Sequence, residues 1–329
     1  MRPTLDDPDE DWVDSFKVSV RRKYAKRPRK SRACELPAAE GNATVAEIFP
    51  NQASVLWDGR ETRSLCGYRM TTLAFDGTSR ERSPVCVGDR VRVEAGVIVG
   101  RCTRRNRLIR SAPNPKDPLL HVIAANVDCL VVVAGAREPD FTAGIVDRFL
   151  VAAHSQGIGP ILCVNKIDLL EPGEARPWSH YPSAGVAVVE TSARRGSGMD
   201  GFSALLRGKA VVFCGHSGVG KTSLLRRLLA DEDYGRVDAI SHKSGKGRHT
   251  TSGAVLMPGP DGASLIDTPG VTSFGLIDIA PGGLLAHFPE LHAAAAKCGA
   301  DCAHDEEPAC GLRSLPRYAS YRAILNSLA

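Results

Sequence analysis

The sequence predicts a multi-domain chain: a small N-terminal β-barrel, a central α/β domain on a mostly parallel sheet, and a short helical piece at the C-terminal end. Three observations predict it. The 329 residues exceed one ordinary domain. The texture of the apolar runs changes near residues 41, 119 and 280. Three cysteines and a histidine crowd into residues 298–310. The expected divisions are a flexible charged leader over 1–40, the barrel over 41–112, the α/β domain over 113–280 and the helical domain over 281–329.

Hydrophobic residues make up 43% and charged residues 24%, which excludes a wholly disordered chain. The longest apolar run, Cys129 to Ala136, is less than half of what crosses a bilayer. Asp6, Asp7, Asp9, Glu10 and Asp11 open the chain, unlike the basic-then-apolar profile of a secretory signal. A cytoplasmic protein with no membrane partner is expected, with its cysteines reduced. The net charge is only +5, yet residues 17–32 hold nine Lys or Arg and no acid, a pattern fitting either a solvated leader or a polyanion-binding arm.

The barrel is expected from short β-type runs broken by Gly, Asp and Asn: Thr44–Phe49, Ala53–Trp57, Arg63–Met70 and Arg90–Val99. Alternation is clearest at Val91 and Val93, then Val97 and Val99 across Gly96. Strands at this spacing fit a barrel of the OB type. Arg101, Arg104, Arg105, Arg107 and Arg110 cluster at its end, the basic flank of an RNA-binding platform, which Arg313, Arg317 and Arg322 would extend.

From residue 119 the apolar runs Cys129–Ala134, Ile161–Val164, Val186–Val189, Ala210–Cys214, Ala254–Met257 and Ser264–Ile266 alternate with helical stretches. One places Ile145, Phe149, Leu150 and Ala153 on a single face; another starts at Thr222 and carries Leu224, Leu225, Leu228 and Leu229. Buried strands alternating with amphipathic helices give a parallel sheet covered on both faces.

Within this domain Gly215-His216-Ser217-Gly218-Val219-Gly220-Lys221-Thr222, followed by Ser223, has Walker A spacing between a strand and a helix. Its glycines let backbone N–H groups turn in around phosphates, and the helix N-terminus favours negative charge. Lys221 is placed to neutralise phosphate oxygens and the Thr222 hydroxyl to ligate Mg2+. Asn165-Lys166-Ile167-Asp168 ends another strand, where α/β sheets bind ligands. The Asp168 carboxylate can accept both N1–H and the C2 amine of guanine, whereas adenine offers neither donor. Thr191-Ser192-Ala193 follows the next strand, where Ser192 and Ala193 can support the base. Asp267-Thr268-Pro269-Gly270 has the Asp-x-x-Gly form. About two such matches arise by chance in this composition, so its place after a strand is what gives it weight. There Asp267 would hold Mg2+ through water and the Gly270 N–H would sense the γ-phosphate. A second Mg2+ hydroxyl is expected from Thr250 or Thr251 of Gly247-Arg248-His249-Thr250-Thr251, which the sequence does not separate.

The order of these segments is unusual. The base motif lies fifty residues before the phosphate loop, whereas ordinary GTPases present the phosphate loop first. A sheet cut in one connection and joined across its old termini keeps its site. The central domain is therefore expected to be a circularly permuted P-loop GTPase. In the tail, Cys298-x3-Cys302-x-His304-x5-Cys310 offers three thiolates and an imidazole with no open position, the set of a structural zinc.

Together these features resemble the RsgA/YjeQ family of circularly permuted, ribosome small-subunit-dependent bacterial GTPases. The resemblance spans about 41–320 and includes Gly-Arg-His-Thr-Thr, Asp-Thr-Pro-Gly with Phe274-Gly275-Leu276, and the Cys/His cluster. It implies an N-terminal OB-fold, GTP hydrolysis late in assembly of the 30S subunit on its 16S rRNA, and stimulation by that subunit. Position 271 is Val, where many GTPases have a water-orienting Gln. His249 is the candidate to position the water, as the resemblance also implies. GTP/GDP, Mg2+ and one structural Zn2+ are the expected cofactors, and a monomer the expected state. The competing readings are an RNA-binding factor that uses nucleotide only as a clamp, and an ATP-using P-loop enzyme.

Overall fold

Short runs of β-branched residues between turn residues build the first part of the chain. The structure, a computed structural model, describes residues 35–60, 62–68, 73, 81, 83–110, 120–235, 253–268, 276, 279–299, 302–304 and 310–328. Strands β1 (Ala43–Phe49), β2 (Gln52–Trp57), β3 (Arg63–Gly67), β4 (Arg90–Glu94) and β5 (Val97–Arg101) form a five-stranded barrel in the order β1-β2-β3-β5-β4, with β4 returning to β1. Closure removes the sheet edges that would otherwise expose unpaired backbone groups. Val45, Val55, Cys66, Val91 and Ile98 fill its interior. Residues 35–40 pack along it: Leu36 bridges to Cys102, and the Glu35 carboxylate meets Arg101.

The expected run Arg90–Val99 is two strands, because Ala95 and Gly96 both take positive φ (+47° and +75°) and reverse the chain. Ile98 occupies the inward position after that turn. Val97 and Val99, expected to continue the alternation of Val91 and Val93, are 43% and 44% exposed.

The arginine flank also differs from expectation. Arg104 makes a two-pronged contact with Asp89 (2.6 and 2.8 Å) and reaches Glu81 at 2.9 Å. Arg101 contacts Glu81 and Glu35, and Arg107 contacts Glu81 at 2.9 Å. The Arg101 and Arg104 side chains are only 5% and 7% exposed, so they belong to a buried ion network and not to an RNA-facing edge. The reason is that buried carboxylates stay ionised only when paired. Arg105 is exposed and bridges to Asp128.

Strands β6 (Arg107–Arg110) and β7 (His121–Ala125) pair antiparallel beside the barrel. The central sheet, continuous with the barrel through β12 and β1, comprises β8 (Cys129–Gly135), β9 (Gly159–Asn165), β10 (Ala187–Glu190), β11 (Ala210–Cys214), β12 (Val255–Pro258) and β13 (Ser264–Asp267). Its order is β10-β9-β8-β11-β13-β12, parallel except for β12. Helices α1 (Ala143–Ser155), α2 (Met199–Leu206) and α3 (Lys221–Leu229) cover the two faces. In β8, Leu130, Val132 and Ala134 pack with Phe149 and Leu150 of α1, while Val131 and Val133 pack with Phe202 of α2 and Leu224 of α3. Each such valine, leucine or phenylalanine, fully buried, contributes about 2 kcal/mol. On α1, Val146 faces the core and Ile145, expected there, is 38% exposed. The barrel and sheet meet where Glu47 pairs with Val255 and Arg63 donates to the Leu256 carbonyl at 2.7 Å.

Beyond Asp267 no strand occurs among the described residues. Helices α4 (Pro289–Ala295) and α5 (Tyr318–Leu328), with 3-10 turns at Pro281–His287 and Gly311–Ser314, enclose Leu284, Phe288, Leu291, Leu312 and Ile324 against Val151 of α1. Arg317, expected on a basic surface, is buried here. It donates to Asp147 of α1 at 2.7 Å and to Glu290 of α4 at 3.0 Å, over the Phe288 ring. No described helix is long and apolar enough to cross a membrane.

Burial alone would raise the Glu81 carboxyl, but Arg104, Arg101 and Arg107 outweigh it and hold it below its ordinary 4.5. A depressed folded-state value means that ionised Glu81 stabilises the fold fully above pH 4.5, and that this is lost as pH falls through the depressed value. Urea unfolding followed against pH is expected to show Glu81→Gln less stable by about 3 kcal/mol at neutral pH, with a shallower loss in acid.

Candidate nucleotide site and cysteine–histidine cluster

The parallel sheet puts the carboxyl ends of β8, β9, β10 and β11 along one rim, and the candidate residues lie there. The rim opens into a cleft of about 500 Å3 lined by Asn165, Lys166, Asp168, Ala193, Gly220 and Ser223. Its size is that of a small-molecule site.

Asn165, at the end of β9, is 2% exposed and joins three segments. Its Nδ2 donates to the Val219 carbonyl at 3.0 Å, and its Oδ1 accepts from the Ala193 N–H at 3.0 Å and the Thr191 hydroxyl at 3.3 Å. Base motif, Thr-Ser-Ala segment and phosphate loop are thus laced together. Asp168 sits in the 3-10 turn Ile167–Leu169, where its carboxylate accepts the Ser192 hydroxyl at 2.6 Å. Ile167 packs against the core, and Lys166 donates to the Glu138 carbonyl.

The phosphate loop runs from β11 to α3. Gly215 (φ +142°) and Gly220 (φ +95°) take conformations that disfavour a side chain. A Cβ at Gly215 would strike the Val133 carbonyl, and one at Gly220 the Asn165 amide, so sheet and base motif crowd the loop directly. His216, Ser217 and Gly218 are exposed along the loop and Val219 is buried beneath it. The Lys221 ammonium is held by the carbonyls of Gly215 and His216 at 2.7 and 2.9 Å, and burial lowers its pKa. Thr222 and Ser223 are exposed in the first turn of α3, whose unpaired N–H groups favour an anion.

Asp267 ends β13, and its Oδ2 accepts the Tyr234 hydroxyl at 2.6 Å. Gly235 runs alongside Thr222: a Cβ there would come within 2.7 Å of the threonine methyl. A threonine hydroxyl and an aspartate carboxylate are hard oxygen donors of the kind that fits Mg2+. His249, Thr250, Thr251 and Gly270 lie outside the described residues.

In the C-terminal piece the donor atoms of Cys298, Cys302, His304 and Cys310 all lie within 4.8 Å of one another. His304 Nδ1 is 3.4 Å from the Cys302 sulfur and 3.9 Å from that of Cys310. Four S and N donors gathered this closely fit ligands about 2.0–2.3 Å from a single zinc ion. The other described cysteines, Cys66, Cys86, Cys102, Cys129, Cys163 and Cys214, are buried, the usual place of a small, weakly polar side chain.

Residues 101–277 match the family described as RsgA GTPase. The chain is 42% identical over 259 residues to the small ribosomal subunit biogenesis GTPase RsgA of Azotobacter vinelandii, covering 73% of this chain and 74% of that protein. It is 41% identical to the protein of the same name from Pseudomonas aeruginosa, covering 71% of each. The chain belongs to the RsgA GTPase family. Among solved structures, that of YjeQ from Thermotoga maritima is similar at 27% identity and a TM-score of 0.65, covering 87% of this chain and 97% of that one. The fold is also that of YloQ, described as a circularly permuted GTPase, at 24% identity and a TM-score of 0.62, with 91% and 97% covered.

This RsgA-family chain is thus an enzyme that hydrolyses GTP, with its base motif and phosphate loop in permuted order. Sequence reasoning missed several rim residues. Glu138 lines the cleft from the loop after β8, a place the strand-end rule could have flagged. Arg227 donates to the carbonyls of Ala193 and Arg194 at 2.9 and 3.1 Å, tying α3 to the base segment, and nothing in the local sequence announces it. The same holds for Tyr234.

Elemental analysis of the purified RsgA-family protein is expected to return about one zinc per chain. Cys310→Ser should lose the metal and loosen the C-terminal helices, seen as faster proteolysis after Pro281. A metal-free wild-type protein with unchanged proteolysis would reject the site.

Proposed function

We propose that this GTPase acts late in assembly of the 30S ribosomal subunit, contacts its 16S rRNA, and hydrolyses GTP faster when the subunit is bound. The observation that carries the nucleotide half is the Asn165 side chain bonded to Val219 and Ala193, which puts base and phosphate segments on one cleft despite their inverted order. The ribosomal half is supported by relatives named small ribosomal subunit biogenesis GTPase. It acts as a monomer in the cytoplasm. The working divisions are a charged leader, an OB-type barrel over 41–112 with residues 35–40 packed on it, the permuted GTPase over 113–280 and a zinc-binding helical domain over 281–329.

Asp168 accepts the guanine N1–H and amine while Ser192 holds its carboxylate in place. Ser192 and Ala193 close over the base, and Asn165, Lys166 and Ile167 position that wall. The loop Gly215–Gly220 with Lys221, Thr222 and Ser223 cradles the phosphates, with Lys221 exchanging its carbonyl partners for β/γ oxygens. Thr222, Asp267 and either Thr250 or Thr251 would hold Mg2+, which when bound neutralises phosphate charge. Gly270 senses the γ-phosphate. His249 orients the water that attacks the γ-phosphorus as the bond to GDP breaks, a role needed because position 271 is Val. The chain leads from Asp267 straight into the C-terminal helices, so a partner on those helices can influence the site. A zinc held by Cys298, Cys302, His304 and Cys310 would staple a piece too small to hold itself together.

Phosphate release is measured with GTP and ATP, with and without purified small subunits. Multiple turnover of GTP alone, raised by the subunit, is expected; no turnover beyond one equivalent would favour a nucleotide clamp, and equal use of ATP would overturn guanine selection. His249→Ala should lose the stimulated rate by about 100-fold and keep GDP affinity. In a competition assay, Asp168→Asn should weaken guanine preference by about 1–3 kcal/mol, because one of its two acceptor oxygens becomes an amide donor.

A further inference from the structure

The Tyr234 hydroxyl donates to Asp267 Oδ2 at 2.6 Å, and no part of the nucleotide reading uses this contact. Tyr234 is not a loose surface residue. Its carbonyl accepts the Arg226 Nε–H at 2.6 Å, its ring packs against the core that holds Leu224 and Leu265, and the next residue, Gly235, lies against the Thr222 methyl. Asp267 is equally fixed in its backbone, paired with Phe213 of β11 and Val255 of β12. A carboxylate at a strand end still rotates about its terminal torsion, which is broad for Asp. A phenol bonded to one oxygen removes that freedom and sets the direction of the other. Carboxylates that serve a metal are commonly oriented in this way by an outer hydrogen-bond donor.

We propose that Tyr234 is a positioning residue for magnesium, holding Asp267 in the orientation its metal role requires. The proposal rests on the assignment of Asp267 to Mg2+ given above. One segment, residues 234–235, bonds to Asp267 and runs beside Thr222, so a single stretch of backbone reaches both residues assigned to the metal.

The test titrates Mg2+ into wild type, Tyr234→Phe and Asp267→Asn, each with a fluorescent GDP analogue, and reads the Mg2+ concentration giving half of the affinity gain. Affinity in EDTA and the thermal melting point of each protein control for folding. Tyr234→Phe is expected to raise the half-point about 10-fold with its EDTA affinity within a factor of about two of wild type. Asp267→Asn should raise it further, and the double variant should match Asp267→Asn, since the phenol acts only through the carboxylate. An unchanged half-point in Tyr234→Phe beside a raised one in Asp267→Asn overturns the positioning role and leaves the Asp267 assignment standing. A lowered half-point in Tyr234→Phe overturns it too, showing the phenol to compete with the metal. Unchanged half-points in both variants overturn the Asp267 assignment and the proposal together.

Discussion

One buried amide holds the nucleotide cleft together. Asn165 donates to the phosphate loop and accepts from the Ala193 N–H and the Thr191 hydroxyl, with almost no contact with water. Each bond contributes only about 1 kcal/mol net, but an apolar replacement would leave a buried carbonyl and a buried N–H without partners, which costs more. The close fit of Gly220 against the same amide shows why the loop needs glycine there. Cleft geometry is set by this contact between segments fifty residues apart, and chain order is irrelevant to it. That independence is what permits the permuted arrangement found in this family.

The permutation relocates the chain's exit. After β13 the backbone runs into the C-terminal helices, which dock on α1 through Arg317, Asp147 and Glu290. The pairing is costly to break because both charges are buried, 2% and 0% exposed. The tail is therefore attached to the GTPase sheet twice, covalently near Asp267 and by a buried ion pair on α1. The first residues of α1 follow the loop that carries Glu138 beside the candidate cleft.

Charge in this protein is used inward more than the sequence implies. Arg101, Arg104 and Arg317 would read as surface cations by type, yet each neutralises carboxylates that the fold has buried. The barrel end is consequently a cross-linked ion network around Glu81 and Asp89, whose arginines already hold carboxylate partners. Arg105, at 63% exposure, keeps the outward orientation its type predicts.

The sequence by itself determined what depends on neighbours along the chain. Walker spacing after an apolar strand, Asn-Lys-x-Asp at another strand end, the Cys/His spacing and the alternation of sheet and helix were all legible, since each is set by local backbone geometry and side-chain type. Only the tertiary structure decided matters that depend on partners distant in sequence. Val97 and Val99 face outward because a two-residue turn reverses the strand. Arg317 is buried because Asp147, 170 residues away, needs a counter-charge. Tyr234 meets Asp267 because the chain after α3 turns back along that helix, with the Tyr234 carbonyl on Arg226 and Gly235 beside Thr222 in its first turn. Local pattern carries no record of such distances, since burial and pairing energies are fixed only when the elements pack.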